Sequence, residues 1–546
     1  MLAVGLWGLH RGGMWRDEAV TYQVARRTVP QIWRLLHGVD AVHGLYYLLM
    51  HVVLAAAPGR PGEVDLRLPS VCAAAATAGL VAALGTRLAR PRVGLWAGLM
   101  YAVTPLVGHY AQEGRSYALV AAGATGATLL FVRAADEREA GREAEGEIQG
   151  EAGGETGGEA GGEAGGETGG GWRAWWWYGA VLGVTCWLHE FAVLLLLAHA
   201  GTLALARSSG RVWRGWGCAA GGVVLSLLPM VVVSHAQSAQ LAWLREPDLE
   251  TAQELLRQYL GPTDRVYWAC LALALLGLTR LVGRRGEVTL AAVALPLAVL
   301  PPVALMLASQ LTPLYVDRYV LYALAGAPLL VALGADRVAG VLGRLWSHGS
   351  ATTPRSPVFT LAGVLALVLA FTHQVPLLRQ DRVPTTRPDD LGAVAEAVAR
   401  TLRPGDPVLY LPAHARGAEL AYPADFKGTR DVALAEPASV SGTLYGSEVG
   451  AGTLRRRLAG ADEVWAVMEK YALVSGYRPR LATERAKLAV LNQQFVLREE
   501  TVIDRIALRL YVRPIRVGSA ESGLRGGGGR SRPRGGSRTI DTAARP

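Results

Sequence analysis

Apolar runs of about 17 to 25 residues, the length that crosses a bilayer, recur along the chain at 66–88, 93–109, 116–132, 172–188, 190–206, 216–234, 265–282, 288–308, 318–335 and 357–375. Each reads as a helix, and the gaps between them alternate in charge. One set of gaps carries Arg87, Arg90 and Arg92, then Arg133, then Arg207, Arg211 and Arg214, then Arg280, Arg284 and Arg285, then Arg337, Arg344 and Arg355. By the positive-inside rule these loops are cytoplasmic. The other set is expected on the opposite face: 14–65, GHYAQEGR at 108–115, LHE at 188–190, 235–264, YVDRY at 315–319 and everything after about 376. Every polar cluster with chemistry to offer falls on that outer face.

Two segments sit awkwardly in this scheme. If HGLYYLLMHVVLAA at 43–56 crossed the membrane it would break the alternation, so it is expected to lie in the interface with Tyr46, Tyr47 and His51 near headgroup level. MLAVGLWGLH is too short to span about 30 Å, so either the natural start lies upstream or the chain opens on a stub. With no basic n-region and no small-residue cleavage site before Arg11, a cleaved signal peptide is not expected.

The periodicity changes after residue 376. Leu391, Val394, Ala395, Val398 and Leu402 recur at helical spacing behind Asp389 and Asp390, and Pro404-Gly405 ends that helix. PVLYLP (407–412) and VWAVM (464–468) read as buried strands. In RIALRLYVR, Ile506, Leu508, Leu510 and Val512 alternate with Arg505, Arg509 and Arg513, as a half-exposed strand should. The expected organisation is a transmembrane domain over 1–375, an extracytoplasmic α/β domain over 380–516 and a disordered Gly/Arg tail over 517–546. A Gly/Glu repeat at 141–171 is expected to be a disordered cytoplasmic loop, because it has almost nothing apolar to bury.

Composition agrees with a multi-pass protein of the cell membrane: 51% of residues are hydrophobic, more than one soluble core needs. The net charge of +10 resides in topology-setting loops and the tail, so nucleic acid is not an expected partner. Cys72, Cys186, Cys218 and Cys270 are scattered through apolar stretches, which reads as buried small hydrophobes without a disulfide framework.

WRDEAVTY, HGLYYLLMHVVL, LRLPSVCAA, GHYAQEGRSYAL, WLHEFAVLLLLAH and DRYVLYALAGAPLL, in that order over about 14–335, resemble the bacterial polytopic glycosyltransferases of the GT-C fold. The resemblance is to the group of dolichyl-phosphate-mannose protein mannosyltransferases and aminoarabinose transferases. It implies an all-α membrane domain of about 10–11 transmembrane helices with a C-terminal extracytoplasmic α/β domain. It also implies a polyprenyl-phosphate-linked sugar as donor, a mannose-like hexose being favoured, and inverting transfer to a protein, glycan or lipid acceptor. Its Asp-Glu pair in the first outer loop corresponds to Asp17 and Glu18, with Asp17 the catalytic base. The sequence departs from the group at His43-Gly44, where relatives often carry a proline pair.

Inverting transfer requires a carboxylate within hydrogen-bond reach of the acceptor hydroxyl, and donors that hold the departing lipid phosphate. Asp17 suits the first task, while Glu18 binds substrate or orients the loop and Arg16 pairs with the two. In HYAQEGRSY, Arg115 can clasp phosphate, and His109, Tyr110, Gln112 and Glu113 suit sugar hydroxyls or hold Arg115 in place. Arg318 and Tyr319 offer a second pair of phosphate donors, and His189 and Glu190 suit sugar or acceptor. His43 and His51 are given no chemistry. No HxxH or DxD spacing marks a metal site, so no cofactor is expected; a divalent ion among His189, Glu190 and Asp17 is the one metal alternative. A transporter or lipid flippase is the competing class, but it calls for internal repeats and polar mid-bilayer spans that the sequence lacks. A receptor or scaffold would leave Asp17 and Glu18 unexplained.

Overall fold

A computed structural model of the chain describes residues 1–59, 61–152, 168–238, 244–346, 357–383, 389–474 and 476–514. All ten apolar runs are helical. Among the described residues, six helices are long and apolar enough to cross a membrane: Glu63–Leu88, Tyr117–Glu137, Gly210–Ala236, Leu290–Ala308, Asp317–Leu345 and Pro357–Asp381. The protein is a membrane protein. The runs at 93–109 and 190–206 are interrupted for local reasons. The run at 93–109 breaks at Thr104, whose backbone is extended ahead of Pro105, as a residue before proline prefers. The run at 190–206 opens with the 3-10 turn Glu190–Leu194 before Leu195–Ala206.

Close packing in this bundle relies on small residues, as between helices in lipid. A Cβ on Gly85 would lie 2.8 Å from the Gly94 Cα, and one on Gly334 would collide with the Leu273 carbonyl. Cys72 and Cys218 are exposed on the bundle surface, contrary to the expectation of burial, whereas Cys186 is buried. The segment 43–56 is the 13-residue helix Gly44–Ala56, too short to cross. Tyr46 and Tyr47 are fully buried in protein, and His51 Nδ1 pairs with the Ala25 carbonyl at 2.8 Å. Within 141–171 the backbone is helical as far as Ala152, where Glu and Ala carry helix propensity, and again from Thr168. Residues 153–167, Arg355 and the tail 517–546 lie outside the described residues.

The C-terminal domain begins with the helix Leu391–Thr401, capped by the Asp390 carboxylate, which accepts from the Ala393 N–H at 3.0 Å. Among the described residues seven strands follow: β1 Pro407–Leu411, β2 Arg430–Asp431, β3 Leu434–Glu436, β4 Ser447–Glu448, β5 Glu463–Glu469, β6 Val496–Ile503 and β7 Ile506–Val512. The main sheet runs β2-β1-β5-β7-β6, with β1 parallel to β2 and β5, and β7 antiparallel to β5 and β6. Ile506, Leu508 and Leu510 pack in one cluster with Leu391, Val394 and Val398, and Tyr511 on the other face packs in a second cluster with Leu454, Leu458 and Val490. The strand is therefore covered on both faces rather than half-exposed.

This domain grips the N-terminal segment. Asp390 also accepts from the Gly13 N–H at 3.2 Å, Tyr422 Oη from the Met14 N–H at 2.7 Å, and the Met14 carbonyl from the Leu391 N–H at 3.1 Å. Gln23 Nε2 donates to the Leu444 carbonyl at 2.7 Å. Arg16 was expected to pair with Asp17 and Glu18; it reaches instead to Glu469 at 2.8 Å and Asp389 at 3.7 Å.

Candidate active site

Asp17 and Glu18 occupy the first turn of the helix Arg16–Ala25, where negative charge suits the helix dipole. Adjacent residues on a helix point about 100° apart, so the pair divides. Glu18 turns inward with no exposure, clasped by Arg67 at 2.7 and 2.8 Å and accepting from the Gly114 N–H at 2.9 Å. Asp17 turns outward, and its side chain keeps 28% exposure. It lines a pocket of about 190 Å³ together with Arg115, His189, Glu190, Arg318 and Tyr319.

Two guanidinium groups line this pocket with Asp17. Arg318 Nη2 lies 3.7 Å from Asp17 Oδ2, and its Nε donates to Tyr117 Oη at 3.1 Å. The rings of Trp15, Tyr117 and Tyr319 stand 5.7 to 5.9 Å from the same guanidinium, which fixes it by cation–π attraction. Arg115 Nη1 donates to Thr21 Oγ1 at 3.3 Å and Nη2 to His43 Nε2 at 2.6 Å. Arginine has no acceptor atom, so His43 Nε2 must accept and the ring proton sits on Nδ1.

The other expected residues lie elsewhere. Gln112 is removed from the pocket, its amide donating to the Gly5 and Trp7 carbonyls at 2.8 Å. His109 joins Asp381 at 2.6 Å and Glu113 at 3.5 Å, which ties the turn to the helix Pro357–Asp381. Tyr110 Oη donates to Asp317 at 3.2 Å, beside the pocket arginine. HYAQEGRSY therefore splits: Arg115 and Tyr117 reach the pocket, and its other polar groups brace the turn. Glu18 likewise acts on the loop, not on the pocket space.

Asp40, His43, Ser234 and Gln237 also line the pocket and were not anticipated. Asp40 holds a left-handed conformation with φ 57°, tolerated by Asp more than by most residues. Its carboxylate accepts from Tyr47 Oη at 2.7 Å, and burial raises its pKa against the pull of Arg115. The GVDAVHG turn was the only signal in the sequence, and a polar turn is common in any outer loop. Among the described residues, no group of three or more His, Cys, Asp or Glu side chains is placed to hold a metal ion. Asp17, His189 and Glu190 share the pocket without forming such a group.

The solved structures show the architecture plainly. ArnT from Cupriavidus metallidurans in the apo state aligns over 93% of this chain and 96% of its own, with a TM-score of 0.54 at 14% identity. The fold is of the GT-C type. The apo oligosaccharyltransferase from Archaeoglobus fulgidus aligns over 85% of this chain and 66% of its own, with a TM-score of 0.50 at 11% identity. No family model and no curated protein matches the sequence.

The two pocket histidines lead to a pH prediction. Burial, reinforced by Arg115 and Arg318, lowers His189 to about 3 and holds His43 well below the usual 6.5. A histidine kept neutral in the fold stabilises it above the unfolded pKa, and that contribution is lost as pH falls below 6.5, where the unfolded chain takes up protons. Thermal stability is expected to fall between pH 6.5 and 5 by about 1.4 kcal/mol per pH unit for each ring. His189→Asn should reduce the slope by one ring's share, about 1.4 kcal/mol per pH unit, read from melting curves in detergent. An unchanged slope in that variant would contradict a neutral buried His189.

Proposed function

We propose that this chain is an integral membrane glycosyltransferase that moves a sugar, a mannose-like hexose, from a polyprenyl-phosphate donor to an acceptor at the outer membrane face with inversion. The carrying observation is the partly exposed Asp17 carboxylate, 3.7 Å from the Arg318 guanidinium, in a pocket that Arg115 also lines. The fold supports the reading, and so do the arginine-rich loops, which favour an extracytoplasmic C-terminal domain.

In this reading Asp17 takes the acceptor hydroxyl proton as that oxygen attacks the anomeric carbon from the face opposite the phosphate. The bond from anomeric carbon to phosphate oxygen breaks, and both its electrons leave with the lipid phosphate. Arg115 and Arg318 stabilise the charge gathering on that phosphate. Since phosphate leaves readily, no general acid is needed, and the neutral ring of His189 is placed to hydrogen-bond the sugar while His43 holds Arg115. Tyr319 and Glu190 complete the wall around it. Protein, glycan and lipid acceptors are all chemically compatible with such a base.

The test uses membranes containing the full chain, free of enzymes that load polyprenyl phosphate, and offers radiolabelled mannose either on polyprenyl monophosphate or on a nucleotide. Label is expected to pass to acceptor from the lipid donor alone. Equal transfer from the nucleotide sugar would reject the donor class. No transfer from polyprenyl-phosphate mannose, glucose or aminoarabinose would reject the enzyme reading.

A further inference from the structure

A second cavity, of about 430 Å³, opens on the side of the bundle between the helices Pro91–Val103, Asp264–Gly277, Gly326–Trp346 and Pro357–Asp381. It shares no lining residue with the Asp17 pocket. Its walls are apolar, with Trp96, Leu273 and Ala366 among them. Gly363 forms part of the wall because any Cβ there would strike the Trp96 ring.

One end is polar. Arg265 stands at the rim, and Gln374, 4% exposed, lines the cavity with an amide oxygen that has no hydrogen-bond partner among the described residues. The carboxylate next to Arg265 is already committed, since Asp264 binds Arg257 at 2.6 Å. No acidic side chain lines the cavity, so the rim presents a positive charge above an apolar slot. From Gly363 to Gln374 the slot follows eleven residues of one helix, about 16 Å at 1.5 Å per residue. That is close to half of a hydrocarbon core about 30 Å thick, the depth of one leaflet.

We propose that this slot is a binding site for an anionic phospholipid of the surrounding leaflet. An acyl chain lies against Trp96 and Leu273, and the phosphate is held by Arg265. The Gln374 amide meets the glycerol region, where hydroxyl and ester groups give an otherwise unpartnered buried group something to bond. A polyprenyl chain would be much longer than the slot, which favours an ordinary acyl lipid. The site is independent of the proposed transfer reaction.

The experiment reconstitutes the full chain in vesicles of equal phosphatidylglycerol and phosphatidylcholine, re-extracts it in mild detergent and counts bound lipids by native mass spectrometry. The wild type is expected to retain one phosphatidylglycerol per chain in preference to phosphatidylcholine. Arg265→Gln should lower that occupancy roughly fivefold relative to phosphatidylcholine, the ratio for one cation at the membrane surface. Ala366→Phe, on an exposed part of the wall, should exclude both lipids while leaving the melting temperature unchanged. Equal retention of the two lipids by the wild type would overturn the proposal, as would phosphatidylglycerol occupancy untouched by both substitutions. Preferential retention of undecaprenyl phosphate, when it is offered alongside, would also overturn it.

Discussion

Asp17→Asn is expected to lower the turnover of sugar transfer by about 10²–10⁴-fold, the range that a positioned general base contributes, while the protein stays folded and inserted. The amide matches the carboxylate in size but cannot take up the acceptor proton. Little structure depends on the Asp17 side chain. Its neighbour Arg318 lies at 3.7 Å and is independently held by Tyr117, and the bonds to Thr21 and Arg115 come from the Asp17 backbone carbonyl. The melting temperature should therefore remain close to wild type.

The loss should appear in kcat, with the KM for the lipid donor changing only a few-fold, because the donor phosphate is assigned to the arginines. Asp40 provides the control. It lies in the same pocket but is buried and already bonded to Tyr47, with its pKa raised, so it is poorly placed to receive a proton from a bound acceptor. Initial rates at matched protein levels decide between the two carboxylates. Full activity in Asp17→Asn would remove Asp17 from the chemistry.

How far the site could be read from sequence depended on what one dimension encodes. The alternation of arginine-rich loops placed Asp17, Arg115, His189, Glu190, Arg318 and Tyr319 at one end of the bundle, and all six line one pocket. Which side chains of a motif turn inward is set by helix rotation and partners distant in sequence. Gln112 is drawn away by carbonyls of residues 5 and 7, and Glu18 by an arginine 49 positions downstream. That arginine, Arg67, sits within LRLPSVCAA, where the apolar surroundings hid its role. Asp40 and His43 are placed by a left-handed turn that composition does not reveal. In the C-terminal domain the helix at 391 and strands β1, β5 and β7 carried clear periodicity. β6, with LREE at its centre and nearly every residue exposed, gave no hydrophobic signal because it is an edge strand.

Glu18→Ala is expected to destabilise the protein by about 3–5 kcal/mol, the range for breaking a fully buried ion pair from one side. The Arg67 guanidinium would stay buried and charged. Its remaining contacts, the carbonyls of Leu9, Arg11, Gly12 and Gly13 at 3.0 to 3.4 Å, are neutral. Those carbonyls belong to the strand of chain that leads into Asp17, so loss of the pair also frees the base-bearing loop. Transfer should consequently fall even at temperatures where the bundle remains folded. A second variant separates the buried charge from the packing: Glu18→Leu combined with Arg67→Met removes both charges and should recover much of the lost stability, as apolar replacement of a buried pair commonly does. It should not recover transfer, because the four carbonyls then have no donor and the segment leading into Asp17 keeps only its bonds from Gly13 and Met14 to the C-terminal domain. Thermal melting in detergent and transfer assays on the same preparations read the two effects apart. Equal melting of Glu18→Ala and wild type would mean that the pair does not hold the loop.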